Sequence, residues 1–182
     1  MKSSSVTRFF FAAVLILGLA FTADAQSGKP KSPPMTATHT IGDLKIDVNY
    51  NAPSVKGRTV WGKLVPFGKV WRTGANSATT FEVNQDVLIN GEALAAGKYA
   101  LFTIPTGDDW TIIFNKEANQ WGAYSYDKGR DALRITTKTG TTQELVEQMT
   151  FEVGDNDEHI GVVSFMWENL KTSFNVSVAA QK

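Results

Sequence analysis

From residue 44 onward the chain alternates apolar and polar side chains with a period of two, and this pattern excludes most architectures. In LKIDVNYN, Leu44, Ile46, Val48 and Tyr50 share one face of an extended chain, with Lys45, Asp47, Asn49 and Asn51 on the other. The pattern returns in FEV (Phe81, Val83), WTIIFN (Trp110, Ile112, Phe114), LRITTK (Leu133, Ile135), EQMTFEV (Met149, Phe151, Val153) and TSFNVSV (Phe174, Val176, Val178). IGVVSFMWE reads as a further long apolar strand, and VLINGEALAAGKYALFTIP as two strands joined around Asn90-Gly91, a dipeptide that accepts positive φ. In the second of these, Tyr99 and Leu101 lie opposite Phe102 and Ile104, so both faces are apolar and the strand belongs at the centre of a sheet.

No long amphipathic helix competes. The best helical candidate is TTQELVEQ, where Thr142 could cap one short turn. Without crossover helices a parallel βαβ sheet is excluded. The expected fold is all-β: a jelly-roll-like antiparallel β-sandwich of about eight to ten short strands, with a closed barrel as the alternative.

The first residues read as an address. Lys2 and Arg8 precede an apolar run from Phe9 to Phe21, and Ala23-Asp24-Ala25 supplies a small-x-small cleavage site before Gln26. The run is shorter than the roughly 20 residues of a spanning helix. The expected organisation is a signal peptide over 1–25, a flexible lead-in over 26–38 (QSGKPKSPPMTAT) and a single β-domain over 39–182. Export to the periplasm or beyond follows. The absence of cysteine excludes both disulfides and a lipid anchor through a cysteine. A mature chain of about 157 residues is long enough to stand on its hydrophobic core. Removing Lys2, Arg8 and Asp24 from 18 basic and 18 acidic residues leaves 16 and 17, a net charge of −1. Neither nucleic acid nor an anionic membrane surface has electrostatic support as a partner.

Familiar catalytic motifs are absent. Gly62, Gly68 and Lys69 have the wrong spacing for a phosphate loop, and Val70 stands where Ser or Thr is required. No G-x-S-x-G or H-E-x-x-H occurs. The mature chain holds only His39 and His159, each read as solvated surface, so no metal site is expected. Gly154-Asp155-Asn156-Asp157-Glu158 reads as an acidic turn between strands, explained by turn chemistry without Ca²⁺. No cofactor is implied.

The conspicuous stretch is VWGKLVPFGKVWRTGANSATT, residues 60–80. It interrupts the strands for about 17 residues without clear period, a length usually reserved for functional or specially packed connections. Trp61, Trp71, Trp121, Tyr124 and Tyr126 lie in or beside such irregular segments, whereas Trp110 and Trp167 sit in strands as core. Arg72 follows Trp71, and Asn76, Asn115, Asn119 and Gln120 add amides. Rings for stacking with an arginine and amides for oriented hydrogen bonds suit a small polar ligand or a sugar. The same residues suit a plug, in which tryptophans close one end of a sandwich and Arg72 fixes the loop. The two roles are compatible.

The runs WRTGAN, GKYALFTIP and NQWGAY, within a stretch from about Ile41 to Val178, resemble the exported bacterial family catalogued as domain of unknown function 2911. The resemblance implies an exported β-domain and carries no established activity or catalytic residue.

The leading expectation is a non-catalytic binding or structural module of the bacterial envelope. Its site candidates are Trp61, Trp71, Arg72, Asn76, Asn119, Trp121 and Tyr124, and its ligand a small polar molecule or carbohydrate. One alternative is a glycan hydrolase drawing two carboxylates from Asp109, Glu117, Asp127 and Glu168. The other is a protein-interaction module that docks on another envelope protein through an exposed apolar patch.

Overall fold

Alternating side chains become strands wherever one face can be buried. The computed structural model describes residues 31–157 and 159–179 and contains nine antiparallel strands: β1 (Pro34–Ile41), β2 (Leu44–Asn51), β3 (Thr79–Val83), β4 (Val87–Ile89), β5 (Glu92–Leu94), β6 (Gly97–Pro105), β7 (Asp109–Asn115), β8 (Asp131–Asp157) and β9 (Ile160–Val178). The expected signal peptide, residues 26–30 of the lead-in and Glu158 of the acidic turn lie outside the described residues. The only helical element among the described residues is a 3-10 turn at Lys128–Arg130.

The strand order is β1-β2-β3-β6-β7-β8-β9-β4-β5. The sheet is open, ending on β1 and β5, so the barrel alternative is excluded. β8 carries the sheet round a corner. Its first part, Asp131–Lys138, pairs with β7, and from Thr139 onward it pairs with β9. The two halves of one continuous sheet thereby face each other over a shared core. Phe81 of β3 meets Phe174 of β9 with ring centroids 5.9 Å apart, Trp110 of β7 meets Phe165 of β9 at 5.2 Å, and Tyr50 of β2 meets Phe151 of β8 at 5.0 Å. The inward faces read from sequence hold: Leu44, Ile46, Val48, Tyr50, Phe81, Val83, Trp110, Ile112 and Phe114 are all buried.

Five local expectations need correction. TTQELVEQ is part of β8, whose register against β9 shifts between Thr141 and Val146 and again before Thr150. A helix there would need an apolar face to bury, and Leu145 points to solvent. The lead-in ends earlier than expected, because Pro34–Thr38 joins β1, where Thr38 sits opposite Asp47 and its hydroxyl bonds that carboxylate. Gly154–Asp157 is the end of β8 rather than a turn; Gly154 pairs with Val162, and Asp155 receives the ring of His39 at 2.8 Å. LRITTK and EQMTFEV fuse into β8, as IGVVSFMWE and TSFNVSV fuse into β9, while Glu92–Leu94 is a strand of its own. Val178 is exposed at the far end of β9, beyond the core.

β6 is buried on both sides, as its sequence requires, but by two different partners. Tyr99 and Leu101 face the main core. Ala100 and Phe102 face outward with Ile113 of β7, and are covered there by Val70, Ala78, Ala123 and Tyr126 from two irregular segments. Those segments carry the candidate site.

Candidate functional site

The 60–80 segment is tied down by backbone bonds at several points. Val65 N–H donates to Val60 O and Gly62 N–H to Val65 O, both at 2.9 Å, closing a tight loop. Gly68 N–H reaches Pro105 O at 2.8 Å, and Trp71 exchanges both backbone bonds with Thr103 of β6, at 2.8 and 2.9 Å. This short bridge aims Trp71 into the core. The result is an aromatic cluster: Trp61 packs edge-on to Trp71, Trp110 and Trp167, with centroids 5.9, 4.9 and 5.8 Å away. Trp71 stacks on Trp167 at 5.9 Å with planes 16° apart. Trp61 and Trp71 therefore fill the plug role, Trp71 buried and Trp61 half-buried. Buried offset and edge-to-face pairs are each worth about 0.5–1.5 kcal/mol beyond their burial.

Arg72, the next residue, is different. It is half-buried, and among the described residues its side chain has no hydrogen-bond or ion-pair partner. Its Nε is fully buried without an acceptor. Burial lowers its pKa, an effect that the nearby Tyr124 offsets in part. The other described arginines are engaged: Arg134 with Asp131 at 2.6 Å, Arg130 with Glu117 at 3.9 Å, and Arg58 with the carbonyls of Ser54 and Val55. Arg72 was expected to fix the loop by bonding a carbonyl or a carboxylate; instead Thr73 and Thr79 do that work. Thr79 Oγ1 donates to Thr73 O at 2.7 Å, and Thr73 Oγ1 donates to Thr103 Oγ1 at 3.2 Å.

A cleft of about 180 Å³ opens beside Arg72. Trp71, Trp167, Leu64 and Val65 give it an apolar floor, and Arg58 lines it together with Arg72. The backbone flanking this cleft is strained. Thr73, β-branched and buried, has φ 52°, and Glu168, next to Trp167, has φ 57°. Such conformations in non-glycine residues cost about 1–3 kcal/mol each and gather where function requires them.

The second irregular segment, 116–126, lies against the first. Ala78 N–H donates to Gln120 O at 2.9 Å, Gly122 N–H donates to Asn76 O at 3.1 Å, and Ser77 bridges Trp121. Trp121 is 67% exposed and Tyr124 88% exposed, so both present open rings. Gly122 allows this arrangement: its φ is +69°, and a Cβ there would lie 2.9 Å from the Tyr124 ring. Asn76 and Asn119 are also exposed. The seven candidates thus divide into one buried tryptophan, Trp71, a half-buried Trp61 and Arg72, and an exposed rim of Asn76, Asn119, Trp121 and Tyr124.

Residues 32–176 match the family described as protein of unknown function (DUF2911). The chain belongs to the DUF2911 family. No curated protein and no solved structure matches it. The matched span of this DUF2911 chain holds all seven candidates and the whole cleft.

Asn115 and Gln120, read from sequence as further amide donors, are buried and structural in this DUF2911 domain. Asn115 Nδ2 donates to Asp127 O at 2.9 Å and to Asp131 Oδ1 at 2.8 Å, and Gln120 Nε2 donates to Glu117 O at 2.7 Å. Tyr126 Oη donates to Asp131 Oδ2 at 2.7 Å. Burial, and then that carboxylate, raise the pKa of Tyr126. This network locks the second segment to β8.

The four carboxylates of the hydrolase alternative are dispersed among local tasks. Asp109 pairs with Lys138 at 2.7 Å, Glu117 faces Arg130, Asp127 caps the 3-10 turn through Gly129 N–H at 2.8 Å, and Glu168 accepts from Val60 N–H at 3.4 Å. None lines the cleft beside Arg72. Among the described residues no group of three His, Asp or Glu side chains converges on a metal position. No helix there is long and apolar enough to cross a membrane.

Sequence reasoning missed Arg58, Leu64 and Glu168 φ. Arg58 lies in KGR, a loop without periodicity, and only the fold brings it to the same cleft as Arg72.

Proposed function

We propose that this DUF2911 protein is an exported, non-catalytic binding module of the bacterial envelope, with its site at Arg72 and the adjoining aromatic rim. The observation that carries the reading is Arg72 itself. A guanidinium held half out of water without a partner is unfavourable in the ligand-free protein. Such a side chain is retained where something supplies the missing acceptor. The rigid surroundings support this: the tryptophan floor cannot rearrange cheaply, and the flanking backbone strain preorganises the cleft. Trp121 and Tyr124, in the second irregular segment, add exposed flat apolar surface with polar edges, suited to the face of a sugar or another ring.

Thermal unfolding in the presence of a panel of mono- and disaccharides, sugar acids and small polar metabolites tests the proposal. A ligand that binds only the folded state raises the transition by about 2.7 kcal/mol at one hundred times its Kd. The expected outcome is a saturable shift for at least one compound in wild type that Arg72→Met loses. A wild-type protein that responds to nothing in the panel overturns the reading, and the segment is then a structural plug alone.

A further inference from the structure

We infer that the cleft beside Arg72 takes the oxyanion group of a small acid, a carboxylate or a phosphate, held between Arg58 and Arg72. This inference rests on the binding reading above and names the chemistry of its ligand.

Three features carry it. Both charged side chains lining the cleft are arginines, and no acidic residue lines it. In a chain with 18 basic and 18 acidic residues such a one-signed concavity is a local feature, not a reflection of overall charge. Arg58 is oriented by donating from Nε to Val55 O at 3.0 Å and from Nη2 to Ser54 O. An arginine has five N–H donors, so these two bonds leave others for a ligand while restricting the side chain. The Arg72 side chain has no partner among the described residues, and two residues that line the cleft keep buried N–H groups without acceptors: Arg72 at Nε and Trp167 at Nε1. Each is a donor, so the deficit at this place is one of acceptors. An oxyanion is an acceptor with several lone pairs and the complementary charge.

The walls strengthen the case. Trp71, Trp167, Leu64 and Val65 give the cleft an apolar lining, and a charge-assisted bond beside apolar groups is stronger than at an open surface. Arginine's planar fork also suits the two coplanar oxygens of a carboxylate, or two oxygens of a phosphate. Size limits the ligand. A volume of about 180 Å³ corresponds to about six water molecules, so the acidic group and a few carbons fit inside. The remainder of a larger ligand would extend out of the cleft.

The test is an NMR titration of the intact mature protein, following the arginine Nε–Hε, tryptophan indole and backbone signals. The probes are acetate, glucuronate, glucose 6-phosphate, glucose and sodium chloride, all at matched low ionic strength, where screening is weak. The expected result is a saturable shift of the Arg72 signal with acetate and glucuronate or with glucose 6-phosphate, none with glucose, and none beyond a linear drift with chloride. Which acid saturates first distinguishes a carboxylate from a phosphate site. Arg72→Met should weaken binding about tenfold to a hundredfold, the range for removing a charge-assisted hydrogen bond. Arg72→Lys, which keeps the charge but loses the fork, should weaken it less, and guards against a Met variant that fails to fold. Saturable binding of glucose at Trp121 and Tyr124, with the Arg72 signal unmoved by every acid, overturns this inference and leaves the binding reading intact. No saturable shift with any probe, or an equal response to chloride, overturns the inference; a blank thermal panel in addition overturns the binding reading.

Discussion

The indole of Trp71 lies flat against that of Trp167, 5.9 Å away and 16° from parallel, although the two residues are 96 positions apart in the chain. One comes from an irregular crossing segment and the other from the long strand β9. The contact joins the crossing segment to the core and at the same time makes the floor of the cleft at Arg72. Stability and binding therefore share a surface here, and substitutions should separate them.

Trp71→Ala should destabilise the fold by about 3–5 kcal/mol, as for other large-to-small changes in a packed interior. Trp121→Ala, at an exposed ring, should change stability by no more than about 0.5 kcal/mol. Urea unfolding followed by far-UV circular dichroism measures both. Equal losses would mean that Trp121 is a packing residue too.

Arg72→Met should leave stability unchanged or raise it, because it replaces a half-buried, unpartnered charge with an apolar side chain of similar length. A fall in stability of more than about 1 kcal/mol would show that Arg72 organises the loop. The same denaturation experiment decides between these outcomes.

Gly122→Ala should cost about 1–2 kcal/mol, since φ of +69° is unfavourable for an L-residue and the new Cβ meets the Tyr124 ring. It should also displace Tyr124. A chemical-shift map that changes around Tyr124 but not around Trp71 would confirm that the rim moves separately from the floor.

Acid sensitivity should trace in part to Asp47. A hydrogen bond from Lys45 at 2.7 Å, and then one from Thr38, lower its pKa. For a carboxyl group lowered in the folded state, the stabilisation is complete above its unfolded pKa of about 3.9 and disappears as pH falls through the folded value. Stability should therefore drop below about pH 4, and Asp47→Asn should remove part of that slope. The pair is near the surface, so solvent screening keeps the contribution small. Denaturation curves between pH 5 and 2 for the two proteins supply the comparison.

Much of the architecture was legible from local pattern. LKIDVNYN coincides with β2 because its period-two alternation can satisfy only a strand with one buried face. GKYALFTIP is central because it is apolar on both faces. Boundaries were less legible. The TTQELVEQ stretch has the composition of a short helix, but pairing with β9 at Thr141 and Val146, and with Ser54 and Val55 at Glu147 and Gln148, gave its backbone groups partners that a single helical turn would not. β1 was hidden for a related reason: PMTATHTI is weakly apolar, and becomes a strand because β2 offers it an edge.

The sequence by itself determined the strands, their inward faces and the concentration of aromatic residues in two irregular segments, since these follow from side-chain period and from residues that only unusual backbone accepts. Only the tertiary structure decided what those segments do. Whether a tryptophan plugs a core or stacks a ligand depends on what lies above it, and that is set by neighbours such as Trp71 and Trp167, in contact, and Arg58 and Arg72, lining one cleft, which are distant in the chain or carry no periodic signal. Burial, charge neutralisation and the shape of a cleft are properties of assembled neighbours, and the neighbours are chosen by the fold.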